Sequence, residues 1–218
     1  MAVEKIYNVA LADDHVLLRN ALANLIDSFD GFKVIIQTGN GSELVKLIKA
    51  SNIPDILLLD LNMPEMDGFE TAHWFKDHFP EVHVLMLTMY DSEATLIRLL
   101  QAGVKGFLKK DVHPSELKFA MQSVVKNGYY YSHNTTGKLV NLFRHHNESE
   151  IQKNYLDDQE VSFLRLAASD MTYKEIALEI GLNPRAVDNI RDHLFEKLEV
   201  KSRVGLAMYA IRNGLVRL

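Results

Sequence analysis

The chain has 218 residues, 47% of them hydrophobic, with a formal net charge of −5 and no cysteine. That apolar share is enough for packed cores and excludes a mostly disordered protein, and the missing cysteine excludes disulfides and thiolate metal sites. The acidic balance excludes a general electrostatic pull towards nucleic acid, and neither an apolar leader nor a run of roughly 18 apolar residues is present, so a soluble, cytoplasmic protein is expected.

Up to residue 127, short apolar runs alternate with amphipathic stretches. Val9-Ala10-Leu11-Ala12 ends at Asp13-Asp14, and Phe32 to Ile36 ends near Thr38-Gly39. Ile56 to Leu59 ends at Asp60, with Pro64 and Gly68 predicting a sharp turn after it. Val82 to Leu87 ends at Thr88, and Gly106-Phe107-Leu108 ends at Lys109-Lys110; the last helical pattern runs from Pro114 to Lys126. Alternation of this kind predicts an α/β doubly wound, five-stranded parallel sheet with right-handed crossovers. Every strand but the second leaves a chemically capable residue at the carboxyl edge, where open sheets of this class bind ligands.

The pattern breaks at Gly128. Residues 128–155 read as a linker, with a helical stretch around residues 138–143. A small all-α domain follows over residues 156–218. Asp157 opens one helix, Thr172 opens a second that Gly181 stops, and Asn183-Pro184 opens a third as N-cap and first-turn proline. Lys201-Ser202 leads into a fourth that ends at Asn213-Gly214. Helix, glycine-containing turn and helix give a helix-turn-helix outline. Residues 155–218 carry 9 basic and 10 acidic side chains, so any nucleic-acid binding there rests on local charge placement.

Asp13, Asp14 and Asp60 are the sharpest chemical signal. Neighbouring strands lie roughly 4.8 Å apart, so three carboxylates at one edge repel each other unless a cation joins them. Oxygen-only ligands without His or Cys suit Mg²⁺, which takes one or two carboxylates together with phosphate oxygens. One Asp would remain as nucleophile for an aspartyl-phosphate, with Thr88 and a lysine at the end of the fifth strand available to phosphoryl oxygens. A single Asp after a strand is often only the N-cap of the next helix. The convergence of all these groups on one edge argues for a site.

The motifs "ADDH", "LLLDLNMPEMDG", "MLTMYD" and "GVKGFLKKD" resemble those of the flavodoxin-like receiver domain of two-component response regulators, over residues 6 to about 127. The resemblance implies that Asp60 is phosphorylated by a sensor histidine kinase or a small phosphodonor with Mg²⁺. It implies metal binding by Asp14 directly, Asp13 through water, Asp60, and the backbone carbonyl of Asn62. Lys110 follows Thr88 by 22 residues, Gly106 by four and Phe107 by three, the family's spacing, which selects it over Lys109. Asp111 stands where many receivers have proline, as in the NarL/FixJ-type subgroup. Thr88 and Phe107 are the implied switch pair. Such a domain promotes its own phosphorylation and dephosphorylation but is not an enzyme with an external substrate.

Residues 156–216, with "YKEIA", "VDNIRDHLFEKL" and "VKSR", resemble the LuxR-type helix-turn-helix of the same subgroup. Val187, Ile190, Leu194 and Leu198 form a buried stripe at helical spacing, which leaves Arg185, Asp188, Asn189 and Asp192 on the side that faces the major groove. Asp188 and Asp192 depart from the basic residues that many family members place there, and would repel nearby phosphates. Phosphate positioning falls to Thr172, Lys174, Arg191, Lys201, Ser202 and Arg203. A near-neutral module binds weakly as one copy, so a homodimer formed on phosphorylation or on double-stranded DNA is expected. Two other readings remain. One is an aspartyl-phosphate phosphatase of the haloacid dehalogenase type, against which stands Asn62 in place of a second Asp. The other is a DNA-binding regulator that has lost phosphorylation.

Overall fold

A computed structural model of the chain describes residues 5–89, 92–132, 135–137 and 156–216. The chain forms two compact units, one holding the sheet and the other the carboxy-terminal helices. The helical stretch expected around residues 138–143 lies outside the described residues, as does most of the expected linker.

The sheet unit runs β1 (Tyr7–Ala12), α1 (Val16–Asp27), β2 (Phe32–Thr38), α2 (Gly41–Leu47), β3 (Ile56–Asp60), α3 (Gly68–His78), β4 (His83–Thr88), α4 (Glu93–Gln101), β5 (Gly106–Lys109) and α5 (Pro114–Asn127). Strand order is β2-β1-β3-β4-β5 and every pairing is parallel, as the alternation predicts. The unbroken apolar run of β3 has a physical reason: Ile56 to Leu59 are all fully buried, so neither face asks for a polar side chain before the strand ends on Asp60. On one face Val9, Leu11, Ile56 and Leu58 meet Ile26 of α1 and Leu117, Met121 and Val124 of α5. On α3, Phe69, Ala72 and Phe75 are buried. Each such Leu or Phe contributes about 2 kcal/mol through removal from water.

The two edges differ. β2 alternates buried Phe32 and Ile36 with exposed Lys33 and Gln37, the pattern of an edge strand. β5 is covered instead. Tyr130, read from sequence as the start of the linker, bridges to Gly106, donates its N–H to Lys105 O at 2.9 Å and is 7% exposed within the core. Its hydroxyl donates to Glu116 Oε1 at 2.8 Å, which ties this segment to α5.

The turn after Asp60 is sharp, as Pro64 and Gly68 predict. Glu65 takes the left-handed conformation (φ 63°) and Met66 N–H donates to Pro64 O at 2.8 Å. Gly68 is needed for another reason: a Cβ there would overlap the Asp60 carbonyl oxygen and Leu61. Gly41 is alike, with Thr71 Oγ1 and Met66 in the space a side chain would fill.

The helical unit comprises α6 (Asp158–Ala167), α7 (Tyr173–Glu179), α8 (Pro184–Lys197) and α9 (Arg203–Arg212). Asp157, Thr172, Asn183 and Ser202 each accept a first-turn backbone N–H, and Asp157 and Thr172 form capping boxes with Glu160 and Glu175. Gly181, at φ 69°, makes the turn between α7 and α8. Val187 and Leu194 are fully buried and Ile190 and Leu198 pack beside them, which is the stripe that periodicity predicts. Among the described residues no helix is long and apolar enough to cross a membrane.

Candidate functional site

Register alone gathers the first set of residues. Ala12 of β1 pairs with Leu59 of β3, so the next residues, Asp13 and Asp60, emerge side by side. Asp60 pairs with Leu87, and Thr88 with Lys109, so Thr88 and Lys110 follow at the same edge. Lys109 and Lys110 separate by strand alternation: Lys109 is exposed, whereas Lys110 turns inward. Lys110 Nζ sits 2.9 Å from Asp13 Oδ2 and 2.7 Å from Asp60 Oδ2. Side-chain exposure is 0% for Asp13, 5% for Asp60 and 11% for Lys110, so this bridge is largely withdrawn from water.

These carboxylates are not helix caps. The N-cap of α1 is His15, without a side-chain bond, and that of α3 is Asp67. Asp13 and Asp60 are therefore held at the edge by something other than capping. His15 supplies part of it. Its N–H donates to Asp13 Oδ1 at 2.8 Å, and its Nδ1 lies 3.0 Å from Asp13 Oδ1 and 2.8 Å from Asp14 Oδ1. Arg19 Nη1 donates to the Asp13 carbonyl and fixes the backbone there. Sequence reading missed both. Burial pushes the Asp60 carboxyl above its usual range, and Asp13 adds to the push; Lys110 and the Asn62 backbone N–H pull the other way.

Asp13, Asp14, His15 and Asp60 bring ligand atoms within 4.8 Å of one another. Anions this close attract positive charge, and here the Lys110 ammonium stands between Asp13 and Asp60, with the His15 ring beside Asp13 and Asp14. The three carboxylates form an oxygen donor set of the kind hard divalent cations take. Thr88 is 1% exposed at the end of β4, and Lys110 N–H donates to its carbonyl at 3.1 Å. Phe107 is 5% exposed, its ring 5.8 Å from that of Tyr131, which stacks in turn with Tyr129 at 6.0 Å.

In the helical unit, α8 presents Arg185, Asn189 and Asp192 to solvent and Asp188 half-exposed. Lys174, Lys201, Thr172 and Ser202 are exposed too, the last two already spent as caps. Arg191 and Arg203 are engaged inside the unit. Arg191 reaches Asp188 Oδ1 at 2.7 Å and Asp192 Oδ1 at 2.8 Å, and the Asp192 bond holds its guanidinium above the usual value. Arg203 donates to Ala167 O at 2.9 Å and Ser169 O at 2.7 Å, satisfying carbonyls at the end of α6. Both guanidiniums lie over the Tyr173 ring, at 5.2 and 5.3 Å. A buried pair completes the frame: Lys197 Nζ donates to Glu160 Oε2 at 2.6 Å, linking the end of α8 to the start of α6.

Residues 9–122 match the family described as response regulator receiver domain. The chain belongs to that family. Residues 154–210 match the bacterial regulatory proteins of the luxR family. The protein is thus a response regulator, in which a receiver domain precedes a LuxR-type DNA-binding region: a phosphorylation-regulated transcription factor, not an enzyme acting on an external substrate. The haloacid dehalogenase-type reading is set aside on this ground. Relatives include the oxygen regulatory protein NreC of Staphylococcus haemolyticus (strain JCSC1435), 29% identical over 214 residues covering 95% of this chain and 98% of that one. The response regulator UvrY of Escherichia coli (strain K12) is 27% identical over 208 residues, 95% of each. Among solved structures, RcsB from Salmonella enterica serovar Typhimurium, bound to promoter P1flhDC with phosphomimetic BeF3-, shares the fold at TM-score 0.70 and 22% identity, over 94% of this chain and 98% of that one. The response regulator ChrA of a heme-sensing two-component system matches at TM-score 0.53 and 25% identity, over 98% of this chain and all of that one.

Proposed function

We propose that Asp60 is the phosphoacceptor, receiving its phosphoryl group from a sensor histidine kinase or a small phosphodonor, and that this controls how α8 engages double-stranded DNA. One observation carries the reading. Asp13, Asp60, Thr88 and Lys110 come from four different strand ends to one edge, with Lys110 Nζ between the two carboxylates. A carboxylate oxygen of Asp60 attacks phosphorus as the donor's bond to phosphorus breaks, leaving a mixed anhydride. The cation implied is Mg²⁺, which Asp13, Asp14, Asp60 and the Asn62 carbonyl would hold and which would supply neutralising charge for an incoming phosphoryl group.

The chain's own groups do the rest. Lys110 leaves its bridge to pair with a phosphoryl oxygen, and the Thr88 hydroxyl donates to another. Phe107, on the neighbouring strand, follows Thr88 and reshapes the β5 side of the domain. The DNA face consists of Arg185, Asp188, Asn189 and Asp192 on α8, with Lys174, Lys201, Thr172 and Ser202 nearest the phosphates. With 9 basic and 10 acidic side chains beyond residue 154, a single copy binds weakly, so phosphorylation acts through a homodimer on paired half-sites. The setting is cytoplasmic.

Treatment with acetyl phosphate and Mg²⁺, followed by intact-mass measurement, tests this. The parent chain gains one phosphoryl group and Asp60→Asn gains none. Equal incorporation by both would overturn the assignment.

A further inference from the structure

Resting on the DNA-binding reading above, the arrangement of Asp188, Arg191 and Asp192 adds a statement about which bases are read. Asp188 and Asp192 are one turn apart on α8, and two carboxylates so placed repel. Arg191 resolves the repulsion by engaging Oδ1 of both, so the two side chains are oriented together. Arg191 is itself anchored: its guanidinium lies 5.2 Å from the Tyr173 ring, and Tyr173 stacks at 5.9 Å on Phe163, which is fully buried. The carboxylates remain accessible, with side-chain exposures of 49% and 63%, while Arg191 is 24% exposed.

A pair of oriented carboxylates offers acceptors only. In the major groove guanine shows two acceptors and thymine one, and adenine sets an acceptor beside its amino group. Cytosine alone has a major-groove edge of its own that carries an amino donor and no acceptor. We infer that Asp188 and Asp192 read cytosine amino groups, with Arg191 as the positioning residue that holds them, so that each operator half-site carries cytosine at the base pairs they face. Arg191 is thereby withdrawn from phosphate binding. The helix gives up general affinity for DNA and gains discrimination, chiefly by rejecting guanine and thymine.

Selection from a randomised duplex library, using the full-length chain with Mg²⁺ and beryllofluoride, decides the matter. The parent enriches half-sites with cytosine at two positions of α8 contact. Asp192→Asn and Asp188→Asn each lower the cytosine preference by about tenfold, each at its own position. Arg191→Met weakens the preference at both positions together, with little change in thermal unfolding, and Arg191→Lys fails to restore it because an ammonium lacks the planar fork. A selected consensus without cytosine at those positions, or one unchanged in the Asn variants, overturns the inference and leaves DNA binding intact. No enrichment of any sequence by the parent removes the DNA-binding reading and this inference with it.

Discussion

Each unit of this protein sets one cation between two aspartates, and the two arrangements do opposite things with burial. In the sheet unit Lys110 joins Asp13 and Asp60, contributed by three separate strand ends, with none of the three side chains more than 11% exposed. In the helical unit Arg191 joins Asp188 and Asp192, all within one helix, with the carboxylates about half in water. Charge in the first is locked into the fold, and removing one member leaves the others without hydration. Charge in the second is screened by solvent and shapes a surface at little cost to folding. On the functional reading proposed above, the same chemistry would serve a reaction site in one place and a recognition surface in the other, and depth is what separates them.

The contrast fails if the two cations prove equally dispensable. Lys110→Met leaves buried Asp13 and Asp60 facing each other and lowers stability by about 4 kcal/mol without divalent cation, as urea unfolding would read. Mg²⁺ returns a good part of that loss, and a variant as stable as the parent in chelator would break the comparison. Glu160→Gln sharpens it from within the helical unit. There Lys197, only 10% exposed, loses its buried partner, and about 3 kcal/mol goes with it. The two-domain chain would then show its helical unit melting first by near-ultraviolet circular dichroism. Arg191→Met costs below about 1 kcal/mol in the same unfolding assay, since its pairs are exposed.

The smallest effect belongs to a group outside both arrangements. Burial first, then the charge of Lys105, pushes the His83 imidazole below its ordinary 6.5, with Asp55 pulling back. The folded value lies under the unfolded one, so the unfolded chain takes the proton first. The contribution of His83 to stability is complete above 6.5 and is lost as pH falls from there through the folded value. His83→Gln flattens the pH dependence of the unfolding midpoint within that window, and an unchanged slope would assign it to other groups.

The sheet and its edge were legible in sequence because each strand is a short apolar run that stops on a polar residue. Asp13, Asp60, Thr88 and Lys110 could be placed together from strand order alone, since parallel register carries neighbouring ends to one side. The four carboxy-terminal helices were legible through their caps, Asp157, Thr172, Asn183 and Ser202, each at the expected boundary. Groups whose roles depend on distance across the fold were not. Glu160 and Lys197 are 37 residues apart, and no local pattern marks them as partners. Tyr130 sits in a polar stretch that composition assigns to a linker, yet an uncovered β5 edge draws it into the core. Sequence offers Arg191 and Arg203 only as candidate phosphate ligands; that both guanidiniums also lie over the Tyr173 ring could only be seen in three dimensions.

Gly68 ends the turn after Asp60, and Gly41 at the start of α2 packs against Met66 within that turn. With backbone and Thr71 filling the room where side chains at residues 41 and 68 would stand, the α2 and α3 flank of the acidic edge is an abutment without slack. That flank therefore has little room to give should residue 60 take up the proposed phosphoryl group. If residue 60 gains a phosphoryl group as proposed, the roomier direction for a response is the opposite flank, towards Thr88 and the Phe107–Tyr131–Tyr129 aromatic series.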